Sequence, residues 1–216
     1  MDPQLPTLEE GVTLLEAEDA PAALYRLVGR HLAEADGPAY WLDARNAAVP
    51  GAIREHAPRR GARSIRVARA FTGYQHYELA RELPARIDPG AALVVAPNVG
   101  ALYAEDDVPE YEADAMVETT LALLGGVADT ANAPVLATAP DPTYAERVAA
   151  AADRTLHAEG TRAGLRVEGP DVATDVYWHD WGFQTTIPYW VDLLGTAASA
   201  RPAATDTPYT ASLPGI

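Results

Sequence analysis

The sequence predicts an α/β domain built round a largely parallel sheet. Short apolar strands alternate with longer stretches of helical periodicity. The run Ala91 to Ala96 is apolar throughout, as strands buried on both faces are. With 216 residues, 48% of them hydrophobic and 22% charged, the chain suits one core of ordinary domain size.

Gly11 to Leu15 reads as the first strand, followed by a helix over Ala22 to Ala35 whose apolar stripe is Leu24, Leu27, Val28 and Leu32. Ala39 to Leu42 is a second strand, Ile53 to His56 a short helix, Ser64 to Ala68 a third strand and Gln75 to Leu83 a helix. The buried strand Ala91 to Ala96 leads to a helix at Ala113 to Ala128, a strand at Ala133 to Ala137 and a helix at Tyr144 to Asp153. Beyond it the texture turns to hairpin-like strands over Arg154 to Glu168 and Thr174 to Thr186, with turn signals at Glu159-Gly160 and Gly169-Pro170. A core domain over 1–196 is expected, with a tail over 197–216 that is rich in Ala, Thr, Pro and Ser and reads as disordered.

Charge narrows the function. The 31 acidic residues against 16 basic ones leave a net charge of -15, and all 16 basic residues are arginine. The missing lysine removes Schiff-base chemistry, a lysine general base and a phosphate-cradling P-loop lysine. The missing cysteine removes disulfides, thiolate nucleophiles and cysteine-ligated zinc or iron–sulfur sites. This composition suits a cytoplasmic protein of a very salty cell, where about 1 M salt screens repulsion within about 3 Å. A mildly acidic mesophilic protein is the alternative. No signal peptide and no apolar run of membrane-spanning length is present.

Three stretches carry a resemblance. Trp41 to Ile53, reading W-L-D-A-R-N-A-A-V-P-G-A-I, resembles the archaeal RadA/RadB recombinase stretch Y-I-D-T-E-G-T-F-R-P-E-R-I, with Asp43, Pro50 and Ile53 coinciding. Val67 to His76 resembles the family's V-A-R-A-F/Y-N-x-x-H-Q, the most specific match of the three. Leu93 to Tyr103 resembles its L-I-I-V-D-S-L-T-A-L-Y. The resemblance covers residues 8–140 and implies a RecA-like P-loop NTPase fold, with a mostly parallel twisted sheet flanked by helices and C-terminal β-hairpins. Together with the composition it implies a halophilic archaeon.

Each family position that works on nucleotide holds the wrong residue. Where the family has G-x-x-x-x-G-K-[ST], this chain has Glu16-Ala17-Glu18-Asp19-Ala20-Pro21-Ala22-Ala23-Leu24, with no glycine, lysine or hydroxyl and three carboxylates. The magnesium-positioning aspartate corresponds to Ala96, followed by Pro97, and the water-activating glutamate to Arg45. The sensor T-N-Q becomes Thr138-Ala139-Pro140. Loss of all four together implies a pseudo-ATPase with no catalytic residue, cofactor or metal.

Nucleic acid fares no better. The stretch matching the family's first DNA-binding loop, Ala104 to Asp114, carries Glu105, Asp106, Asp107, Glu110, Glu112 and Asp114 and no basic residue. It reads as a solvated acidic face, with a divalent-cation site the alternative. The second loop is cut short, and neither Phe71 nor Phe183 begins the F-x-x-A polymerisation segment.

Two surfaces stand as partner candidates. Arg54, Arg59, Arg60, Arg63, Arg66 and Arg69 reverse the local sign of charge, although pairing with nearby carboxylates would also account for them. Tyr177 to Trp190 holds Trp178, Trp181 and Trp190; alternation sets Tyr177, His179 and Trp181 opposite Trp178, Asp180 and Gly182, for an interface or for packing on an edge hairpin. The five histidines show no metal-ligand spacing, and Ser64, Ser199 and Ser212 sit in no nucleophile motif. The expectation is therefore a non-catalytic RecA/RadA-like paralogue that binds a protein partner, a recombinase or other repair protein, without contacting nucleic acid or membrane. A divergent nucleotide-binding ATPase and an adaptor unconnected with DNA are the alternatives.

Overall fold

In the computed structural model, which describes residues 5–17, 19–161, 164–170, 172–179 and 182–185, strands and helices alternate as far as residue 161. The elements are β1 (Val12–Glu16), α1 (Ala22–Glu34), β2 (Ala39–Ala44), α2 (Pro50–His56), α3 (Arg59–Ser64), β3 (Ile65–Ala70), α4 (Gly73–Arg86) and β4 (Leu93–Ala96). They continue as α5 (Glu110–Ala131), β5 (Val135–Ala137), α6 (Pro142–Ala151), β6 (Arg154–Thr161), β7 (Gly164–Gly169), β8 (Val172–His179) and β9 (Gly182–Thr185). One compact unit runs Met1–Thr186, so the expected domain end at 196 and the tail lie outside the described residues.

The nine strands form one sheet in the order β3-β2-β4-β5-β1-β6-β7-β8-β9. The first six are parallel, in registers such as Trp41 opposite Val95 and Leu14 opposite Thr155, and β6 to β9 are antiparallel. Side-chain alternation sorts the parallel strands between two cores. Leu15, Trp41, Leu93, Val95 and Leu136 face α1 with its Leu24, Leu27, Val28 and Leu32. Leu14, Tyr40, Val94, Ala96 and Val135 face Leu83 of α4, Leu124 and Val127 of α5 and Val148 of α6. With both faces covered, Leu93, Val94 and Val95 are 0% exposed, which is why that strand is apolar at every position.

Several expectations need correcting. Arg59–Ser64 is a helix that carries no apolar stripe; Gly61 lets it lie on α1, where a Cβ would stand 2.9 Å from Leu32 Cβ. Ser64 therefore closes α3, its hydroxyl donating to Gly61 O at 2.8 Å, rather than opening a strand. Glu159-Gly160 is no turn, for both residues lie within β6. Asp153 falls beyond α6 and accepts the Val12 N–H at 2.7 Å, stapling β6 to β1. The hairpin-like strands expected over Thr174 to Thr186 are the antiparallel β8 and β9, with Trp178 paired to Phe183 and His179 to Gly182, while Asp180 and Trp181 lie outside the described residues.

Candidate functional site

Strand order fixes where a cleft opens. The connection leaving β1 crosses to β2 on one side, while the connection leaving its neighbour β5 crosses back over β1 to β6. Between these diverging connections, at the carboxyl ends of β1 and β5, an open α/β sheet has its usual ligand crevice. A cleft of about 650 Å³ lies there. Its walls are Leu15, Leu24, Tyr25, Pro97, Pro140 and Pro142, with Glu16, Asp19, Glu159 and His157 also in the lining. Among the described residues no arginine lines it.

Of the stretch that the resemblance aligns with a phosphate loop, Asp19 and Pro21 reach the cleft, Ala20 and Ala23 are buried, Ala22 is half-buried and Glu18 lies outside the described residues. The loop uses its own backbone donors: Ala20 N–H donates to Ala17 O at 3.3 Å and Ala23 N–H to Ala20 O at 2.8 Å. Pro21, at the N-cap of α1, has no N–H to offer. Behind the loop, a Cβ on Gly160 would stand 2.9 Å from Asp19 O, so the loop rests directly on β6. A triphosphate here would meet the carboxylates of Glu16, Asp19 and Glu159. One carboxylate about 4 Å from a phosphate charge costs about 4 kcal/mol at an effective dielectric of about 20.

The other positions expected to face nucleotide are mostly tied to their neighbours. Ala96 is buried at the end of β4 and Pro97 lines the cleft. Asn98, in the left-handed region with φ 56°, donates its N–H to Thr138 Oγ1 at 2.9 Å and its side-chain amide to Ala44 O at 3.0 Å, tying β2, β4 and β5 together. Arg45, also left-handed, is not part of the cleft lining. Its guanidinium pairs with Glu105 at 2.9 Å and donates to Ala101 O at 3.1 Å, holding the loop after β4. Asp43 is fully buried and accepts from Ala48 N–H at 3.0 Å and Arg69 Nε at 2.7 Å.

Charges elsewhere are mostly satisfied. In the acidic stretch, Asp114 pairs with Arg147 at 2.9 Å, and Glu112 accepts from Tyr74 at 2.7 Å and Tyr111 at 2.9 Å, bonds that hold its carboxyl below the usual range. Among the described residues no three His, Asp or Glu side chains are grouped to hold a metal ion. In the arginine segment, Arg60 pairs with Asp36 at 3.2 Å and Arg66 with Asp88 at 3.0 Å. Arg54, Arg59 and Arg63 are exposed and have no hydrogen-bond or ion-pair partner among the described residues. Trp178 lies in β8 and Trp181 lies outside the described residues.

Sequence reasoning missed Tyr25, Asn98, His157 and Glu159 as cleft residues. His157 Nδ1 meets Glu16 Oε2 at 2.7 Å, a contact between adjacent strands 141 residues apart in their stapling bond. No local pattern announces it, since only the sheet order sets β6 beside β1.

Fold and site define an α/β domain with a mostly parallel sheet and an acidic, apolar-walled crevice at its switch point. The chain matches no protein-family model and no curated protein. Among the described residues no helix is long and apolar enough to cross a membrane.

Proposed function

We propose that this chain is a non-catalytic RecA/RadA-like paralogue, a pseudo-ATPase that acts as a partner or regulator in DNA recombination or repair. One observation carries the non-catalytic part: among the described residues, the crevice where an α/β sheet of this kind takes its ligand is lined by Glu16, Asp19 and Glu159 with His157 and no arginine, beside a loop whose Ala20 and Ala23 N–H groups bond to its own carbonyls. The recombination part rests on the motif likeness at Trp41 to Ile53, Val67 to His76 and Leu93 to Tyr103, so it is an inference from family rather than from site chemistry. A protein partner fits the reading better than nucleic acid, because the Ala104 to Asp114 stretch that matches the family's DNA-binding loop carries six carboxylates and no basic residue.

Calorimetric titration with ATP and magnesium in concentrated potassium chloride tests the first part. No saturable binding is expected, and a micromolar Kd would overturn it. Affinity purification from the native cell tests the second: a recombinase or repair protein is expected, and its consistent absence would leave an adaptor without a tie to DNA.

A further inference from the structure

We infer that the outward face of α2 and α3 binds a carboxylate-rich segment of a partner protein. This names the partner chemistry for the reading of the chain as a partner-binding protein and rests on it. Every other arginine of the described residues has a hydrogen-bond, ion-pair or electrostatic partner. The three without one, Arg54, Arg59 and Arg63, fall together on this two-helix segment of a chain whose net charge is -15. Surplus carboxylates are abundant, so cations left unpaired in one place are what needs explaining.

The geometry turns them outward. Gly61 is buried against Leu32 of α1. At about 100° per residue, Arg59 and Arg63 lie on the side of α3 opposite Gly61 and one helical turn apart. Two guanidinium forks about 5.4 Å apart match carboxylates one turn apart on an acidic helix. Arginine suits this better than lysine in strong salt, because only direct, bidentate contacts persist when charges are screened within about 3 Å.

A polynucleotide fits less well. Three cations displace few counterions. Val49 and Val67 flank the same segment at 44% and 45% exposure and offer the apolar contact that a protein can use.

The test uses the full chain and a fluorescein-labelled helical peptide with glutamates four apart on one face and leucines beside them, in about 1 M potassium chloride. Anisotropy should show saturable binding that the triple variant Arg54→Gln, Arg59→Gln, Arg63→Gln weakens about tenfold or more. The control Arg81→Gln, Arg86→Gln, which removes internally paired arginines, should leave binding unchanged. Equal binding by wild type and triple variant, no binding at all, or tighter binding of a short single-stranded DNA than of the peptide would each overturn the inference. So would a wild-type dimer that the triple variant abolishes while the peptide stays unbound, which assigns the face to a second copy. Because these arginines stand apart from the cleft lining, a failure here with silent ATP titration rejects the docking face alone.

Discussion

Arg69 Nε donates to Asp43 Oδ2 at 2.7 Å, joining the ends of two parallel strands through a carboxylate with 0% exposure. The arginine side chain is 35% exposed and the aspartate side chain 0%, so the two partners are not equivalent. Arg69→Met strands a buried charge and should cost about 3–5 kcal/mol. Asp43→Asn keeps an acceptor for Ala48 N–H and leaves the arginine free to reach water, for about 1–2 kcal/mol. Urea unfolding of both variants checks the order, and a reversal would show that the pair is not held as described.

His76 gives the fold an acid sensitivity. Buried between α4 and the loop after β4, its Nδ1 lies 2.7 Å from Tyr103 Oη, which in turn meets Thr120 Oγ1 at 2.9 Å. Burial pushes its pKa down to about 4. Unfolded, the ring protonates near pH 6.5. Its neutral burial is therefore fully tolerated above pH 6.5 and opposes folding progressively as pH falls from there toward 4. Between pH 7 and pH 5 the loss is about 2 kcal/mol from this residue. His31 and His56, whose pKa values burial also lowers, act in the same direction. A His76→Gln variant should show a shallower decline of Tm with acidification than wild type, and parallel curves would remove His76 as the cause.

Two glycine substitutions should move stability in opposite directions. A Cβ on Gly29 would overlap the His56 carbonyl, so Gly29→Ala must part α1 from α2 and should cost about 1–3 kcal/mol or more. Gly126 sits within α5 with nothing near its would-be Cβ, and Gly126→Ala should gain about 1 kcal/mol of helix propensity. Thermal melts of the pair measure the difference.

Charge reversal alone should not restore nucleotide binding. Asp19→Lys with Glu159→Gln removes two carboxylates from the cleft and adds a cation, yet Ala20 and Ala23 N–H remain bonded within the loop. ATP affinity is expected to stay weaker than millimolar by calorimetry; micromolar binding would mean that charge, and not loop geometry, is what excludes phosphate.

The parallel strands and amphipathic helices were legible because their burial is written in local pattern: Ala91 to Ala96 is apolar because both of its faces are covered. What escaped is set by distant neighbours. Arg59–Ser64 has no apolar stripe and is laid on α1 through one glycine, so periodicity could not find it. Gly160 looked like a turn glycine but stands mid-strand where the Asp19 carbonyl approaches. Arg45 was legible only as the residue aligned with the family's water-activating glutamate; its left-handed backbone and its pairing with Glu105 were not. The cleft's acidity was half visible at Glu16 and Asp19, and invisible at Glu159, which only β6 brings in.

The place of β1 between β5 and β6 also dictates when the molecule can finish folding. On a ribosome, β2, β3 and β4 emerge within one stretch and can pair early, while Val12 must wait for Asp153, 141 residues later, before its staple closes. Such long loop closure slows the final step. Until β5 emerges the Val12–Glu16 stretch has no partner on either side, and until β6 follows it keeps one open edge, where a nascent chain would be most exposed to chaperone capture.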